Sequence, residues 1–329
     1  FPTRRSSDLD KVRQGQESTA DQGPEDLDAV KARKAKHLNL AQHLVTFSSG
    51  PKCNPTNLPG TASPTFINVA DTEDCETSSY ALIAISNISS MKHVRTNLLE
   101  NNMVHRVANI IPQVAGTTAT LAGSLLFYYF SFDAEIEDRV YNAGGSYISA
   151  NGLSENRELQ IISLKTLANL MPCGDRLRVT ETIMRIIHTF MKDAADPAAF
   201  DCDSYDREMA LIYLPLLLSV SSFTNTHGTL LATDVFDLLA KTAIYCQKKS
   251  DAEIGNLVAQ ILLSFLQVLD SHITYQIVAE DNFIFAFEKL LEIHDADVFR
   301  RCMHGICVMS GVPELTTSVC DSEILAVVS

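Results

Sequence analysis

Apolar residues return along this chain at the spacing of helices. The segment 81–89 (ALIAISNIS) recurs, with drift, as 163–171 (SLKTLANLM). In each, a small residue marks where a neighbouring helix crosses, and long or branched apolar residues follow at i, i+3, i+4 and i+7. Ala81, Leu82, Ile85 and Ile88 form that stripe in the first, and Leu164, Leu167, Leu170 and Met171 in the second. Weaker copies lie at Gly123–Ser131, Tyr213–Ser221, Ile261–Leu269 and Cys302–Ser310. The equivalent anchors Ile88, Phe130, Leu170, Val220, Val268 and Met309 are 42, 40, 50, 48 and 41 residues apart. Such a period predicts an all-α solenoid, in which each unit buries its apolar face against its neighbours.

A second block follows each copy. Residues 98–111 (LLENNMVHRVANII) predict a short helix, a tight turn at Asn101–Asn102 and another amphipathic helix, asparagine tolerating the left-handed backbone there. Val140–Gly145 stands at the same place in the second copy and puts Gly144 and Gly145 at that turn. The fifth copy runs Ile277–Leu291.

Ahead of the repeats, a helix is expected from Pro24–Glu25 to about Phe47, stopped by Ser48, Ser49, Gly50 and Pro51, with Lys31, Arg33, Lys34 and Lys36 on a solvated face. Residues 50–76 read as a loop and 10–26 as a polar, disordered stretch. Phe1–Leu9 (FPTRRSSDL) resembles a translated sequencing adapter, and the sixth copy stops inside its second helix near Ser329, so both ends are expected to differ from the natural ones. The organisation is then an arm at 1–24, a helix and loop at 25–76, and a repeat domain at 77–329.

These blocks resemble armadillo repeats, whose third helix reads A-L-x-A-L-S-N-I and whose preceding turn reads I-x-A-G-A-L-P-x-L-V-x-L-L. The resemblance spans about residues 78–329 and is most specific in the first and third copies. It implies a right-handed α-solenoid of about six armadillo-like repeats, with a concave groove lined by the third helices. Carried over, the groove positions include Ile83, Asn87, Leu125, Tyr129, Lys165 and Asn169. Nuclear-import members read basic peptides with Trp and Asn ladders. The Asn positions here are Asn87, Tyr129, Asn169, Ser219, Gln267 and Val308; the Trp positions are Ile83, Leu125, Lys165, Pro215, Leu263 and His304. No tryptophan survives, so a lysine stem has no aromatic sandwich, and import-cargo reading falls behind other uses of the fold.

Charge narrows the partners. Residues 1–77 hold 9 Lys and Arg against 11 Asp and Glu, leaving 17 against 29 for the rest of a chain of net charge −14. An acidic body repels phosphate backbones and anionic lipid, so protein partners, including ones with a basic segment, are expected, and nucleic acid is not. The longest apolar runs reach 12 residues where a membrane span needs about 20, so no insertion is expected. Eight scattered cysteines without a CxxC pair suit a reducing compartment, cytosol or nucleus.

No chemistry of the chain's own is expected. No phosphate-loop, dinucleotide, zinc-protease or nucleophile-elbow motif occurs, so no catalytic residue, cofactor, metal or small-molecule substrate is assigned. Cys302, His304 and Cys307 fall on different faces of a helix and cannot converge on one ion. Asp201–Asp206 lacks the glycine and closing glutamate of a calcium loop. The expected function is a protein-interaction scaffold or adaptor. The alternatives are a regulatory repeat region of a larger enzyme or trafficking factor, and a nuclear-transport adaptor.

Overall fold

The structure, a computed structural model, describes residues 27–49, 69, 74–114, 116–133, 136–172, 175–190, 200–267, 276 and 280–313, with positions 316, 319, 320, 322 and 324. Among these the chain forms fourteen α-helices and no strand. In order they are α1 (Leu27–Ser49), α2 (Cys75–Ser89), α3 (Lys92–Glu100), α4 (Met103–Ile110), α5 (Thr117–Phe130), α6 (Glu137–Gly152) and α7 (Arg157–Asn169). Then come α8 (Arg176–Phe190), α9 (Arg207–Ser221), α10 (His227–Leu231), α11 (Val235–Lys249), α12 (Ala252–Leu266), α13 (Asp281–Leu291) and α14 (Ala296–Ser310).

They stack in two layers. In the first, α1, α2, α5, α7, α9, α12 and α14 each lie against the next; in the second, α4, α6, α8, α10, α11 and α13 do the same. Leu82, Ile85, Leu126, Phe127, Leu164, Leu167, Leu214, Leu217 and Leu262 are buried within one continuous core. No single described helix is long and apolar enough to cross a membrane.

The first-layer helices begin on a recurring polar signal. Asp74, Asn156, Asp206, Asp251 and Asp295 precede α2, α7, α9, α12 and α14, and each side chain accepts a hydrogen bond from a backbone N–H of the first turn. Two residues on stand Glu76, Glu158, Glu208, Glu253 and Asp297, where the positive end of the helix dipole favours a carboxylate. Helix α5 departs, starting after Gly116 at φ 93°.

The same signal sets the register of the fifth copy. Helix α12 begins after Asp251 and ends at Leu266, so the block belongs at 258–266 and not at Ile261–Leu269. Its anchor is the fully buried Phe265; Val268 lies outside the described residues. The first helix is Leu27–Ser49, two residues past the expected stop.

The turn at Asn101–Asn102 forms as expected, Asn102 taking φ 57°. Gly144 and Gly145 do not form its counterpart, because α6 runs unbroken through both. A Cβ on Gly144 would stand 2.4 Å from the Phe127 ring, so this glycine is present for close packing rather than for a turn.

The first-layer helices are also tied to one another at their ends. Arg157 reaches Asp206 at 3.0 Å and Glu208 at 2.9 Å, and Arg207 reaches Asp251 and Glu253, both at 2.6 Å. Each arginine thereby joins one helix start to the cap and dipole acid of the next. At the opposite ends, Asn87 donates to Ser48 Oγ at 3.1 Å and Ser49 Oγ at 3.0 Å, Asn169 donates to Ser131 Oγ at 3.0 Å, and Ser264 bonds Ser221.

Two outcomes follow from this packing. Gly144→Ala should lower stability to urea by about 1–3 kcal/mol from overpacking, outweighing a helix-propensity gain of about 1 kcal/mol. Adding Phe127→Leu should cost less in that background than in the parent chain. Asp251→Ala should cost about 1–2 kcal/mol, and Asp251→Asn less, since asparagine still caps but forms no ion pair with Arg207. Equal losses for the two would show that the charge, not the cap, holds this joint.

Candidate functional site

Each first-layer helix has one side toward the core and one toward solvent. Counted from the first helical residue, Ile83, Leu125 and Lys165 sit at the same place in α2, α5 and α7, and Asn87, Tyr129 and Asn169 sit one turn later. Residues four apart share a helix face, and these helices are consecutive neighbours, so all six lie along one open face. Asn87 and Lys165 are exposed; Ile83, Leu125, Tyr129 and Asn169 are half-buried.

The six differ in what they do there. Asn87 and Asn169 spend amide hydrogens on serines at the end of the preceding helix, so both act as clamps within the stack. Ile83 borders a cavity of about 530 Å³ between α2 and α5, with Tyr80, Thr117 and Ala119. Tyr129 belongs to an aromatic group: its ring is 5.8 Å from Tyr128, which meets Phe132 edge-on at 4.8 Å. Phe132 is 51% exposed, and the Arg95 guanidinium lies 5.7 Å over its ring.

Several residues of this face escape a reading by repeat block alone. Leu121, Tyr128 and Ile162 are half-buried beside the expected positions. Helical spacing extended one turn either way from Leu125 and Lys165 would have found them. In the fifth copy the face positions are Gln260 and Ser264, because the block starts three residues earlier than its apolar pattern suggested. Leu263 and Gln267 still line the same hollow of about 380 Å³, together with Ser219, Ser222 and Arg301. Pro215, Ser219 and His304 are exposed and Val308 half-buried. The face is thus apolar and aromatic across α2 and α5, mixed on α7, where Ile162 lies beside Lys165 and Asn169, and amide- and hydroxyl-lined across α9 and α12.

The other sequence candidates separate in space. Cys302 is fully buried, and burial pushes its thiol up to about 12, whereas His304 and Cys307 face solvent. No group of three or more His, Cys, Asp or Glu is arranged for a metal among the described residues. In 201–206, Asp201 orders its own turn by accepting from the Asp203 N–H at 3.0 Å, Asp203 pairs with Lys249, and Asp206 caps α9. The sequence of 192–204 reads as an acidic loop between repeats, and its part at 192–199 lies outside the described residues.

No protein-family model matches the chain, and none of the curated proteins does. Among solved structures, the crystal structure of an engineered protein, a Northeast Structural Genomics Consortium target, aligns with a TM-score of 0.62 at 16% identity. That alignment covers 88% of this chain and 68% of the other. At this identity the likeness speaks for the fold alone, and together with the two stacked layers it shows an all-helical, repeat-like architecture.

Proposed function

We propose that the chain is a protein-interaction scaffold or adaptor that holds a segment of a partner along the open face of its first layer. In this reading the layers form a right-handed solenoid of about six armadillo-like repeats, and that face is its concave groove. One observation carries the reading: Ile83, Leu121, Leu125, Tyr128, Tyr129 and Ile162 leave apolar area open to solvent on three adjacent helices, beside the exposed Phe132. None of the six is packed into the core cluster. Rigid aromatics with a hydroxyl supply contact area and a polar handle at low entropic cost, as binding hot spots do.

Charge suits a basic partner segment. Glu76, Glu158, Glu208, Glu253 and Asp297 run along one edge of the face. Glu208 and Glu253 are shared with Arg157 and Arg207, so Glu76 and Glu158 offer the less neutralised part of that edge. The apolar side chains beside them would take the aliphatic stems and hydrophobic residues of such a segment.

The test starts from a partner recovered by affinity capture with the full chain and then measured by direct titration. Leu125→Ser and Tyr129→Ala should each weaken binding by about 1–2 kcal/mol with the circular dichroism spectrum unchanged. Leu177→Ser, on the exposed side of α8, should leave it unaltered. The opposite pattern would move the partner to the second layer. Asn169 is a poorer probe, because its loss also opens the joint with Ser131.

A further inference from the structure

The second layer carries a depression of different chemistry. Asn142, Ser146 and Ser149 of α6 face Arg178, Thr182 and Arg185 of α8 across a cavity of about 520 Å³. Arg178, Thr182 and Arg185 follow one another at i, i+4 and i+7, so both guanidinium groups rise from one face of α8 on either side of the threonine.

The floor of this cleft is already ordered. Thr182 is 6% exposed and Ser149 8% exposed. The Thr182 hydroxyl donates to the Arg178 carbonyl at 2.9 Å, and the Tyr141 hydroxyl lies 3.4 Å from the Thr182 hydroxyl oxygen. Arg185 donates to Ser149 Oγ, which holds its guanidinium over the cleft with further N–H groups to offer. Arg178 stands 3.4 Å from Asp175, a pair between exposed side chains that a stronger anion displaces at little cost.

We propose that this cleft binds the phosphoryl group of a phosphorylated serine or threonine on a protein partner. Two planar guanidinium groups with hydroxyl and amide donors between them match the several oxygens of a compact dianion. The net charge of −14 decides the class of ligand. Such a body repels an extended polyanion, a nucleic acid or an anionic bilayer, that would bring many charges within the Debye length of about 8 Å of its surface, while a short-range site still takes one localised dianion. The Tyr141 ring and Leu153 border the same cleft and give the residues beside the phosphoryl group an apolar rest. The site is independent of the first-layer face and stands or falls separately from it.

Calorimetric titration of the full chain decides this, with N-acetyl-phosphoserine N-methylamide, its unphosphorylated form, and inorganic phosphate as probes. The phosphorylated amide should bind saturably, at least about tenfold tighter than the unphosphorylated form and tighter than inorganic phosphate. Arg178→Gln and Arg185→Gln should each weaken it by about fivefold or more, and the pair should abolish it, with unchanged melting curves. Arg185→Lys should recover part of the loss, since the charge returns without the planar fork. Arg157→Gln, on the edge of the first layer, should have no effect. Absence of saturable binding, or binding that survives the double variant, overturns the site. Equal affinity for inorganic phosphate overturns its assignment to a protein partner.

Discussion

The whole stack depends on each first-layer helix hiding its apolar stripe between two neighbours and the second layer. No such helix can do this alone, because side chains like Leu126, Phe127, Leu164 and Leu167 are buried only when the adjacent helices are in place. Packing at that density also explains the glycine within α6. The Phe127 ring occupies the space of the missing Gly144 side chain, so two helices approach more closely than any Cβ would allow.

Burial is non-directional, so it does not by itself hold one helix in register with the next. The edges supply direction. At the helix starts, a cap carboxylate, a dipole acid and the arginine of the preceding helix form a relay through Arg157 and Arg207. At the helix ends, Asn87, Asn169 and Ser264 bond hydroxyl groups of the preceding helix. Most of these groups are partly exposed, so each bond contributes little to stability, but a slip of one residue would break several together.

Those edge bonds alter how the open face is read. A face asparagine in a helical repeat invites a role in binding an extended peptide, yet Asn87 and Asn169 already serve the stack. What remains open on that face is apolar and aromatic at one end and amide-rich at the other, with an acidic edge partly neutralised from within. The arginine-bearing cleft of the second layer is opposite in character, so two partners, or two parts of one, would meet different chemistry on the two layers.

By itself the sequence determined the all-helical class, the approximate period and the left-handed turn at Asn102, because helical spacing and turn propensity are local properties. It also held a signal that an apolar pattern overlooks: the Asp or Asn before α2, α7, α9, α12 and α14 and the acid two residues on, which would have placed the fifth block at 258–266. Only the tertiary structure decided that Gly144 and Gly145 continue a helix, that the two asparagines are clamps, and that Arg178 and Arg185 share a cleft with α6. Each of these depends on residues far apart in sequence that meet only when neighbouring helices stack: Gly144 meets Phe127, Arg185 meets Ser149 and Asn169 meets Ser131. A single unit read along the chain holds one side of each contact, and the other side belongs to its neighbour.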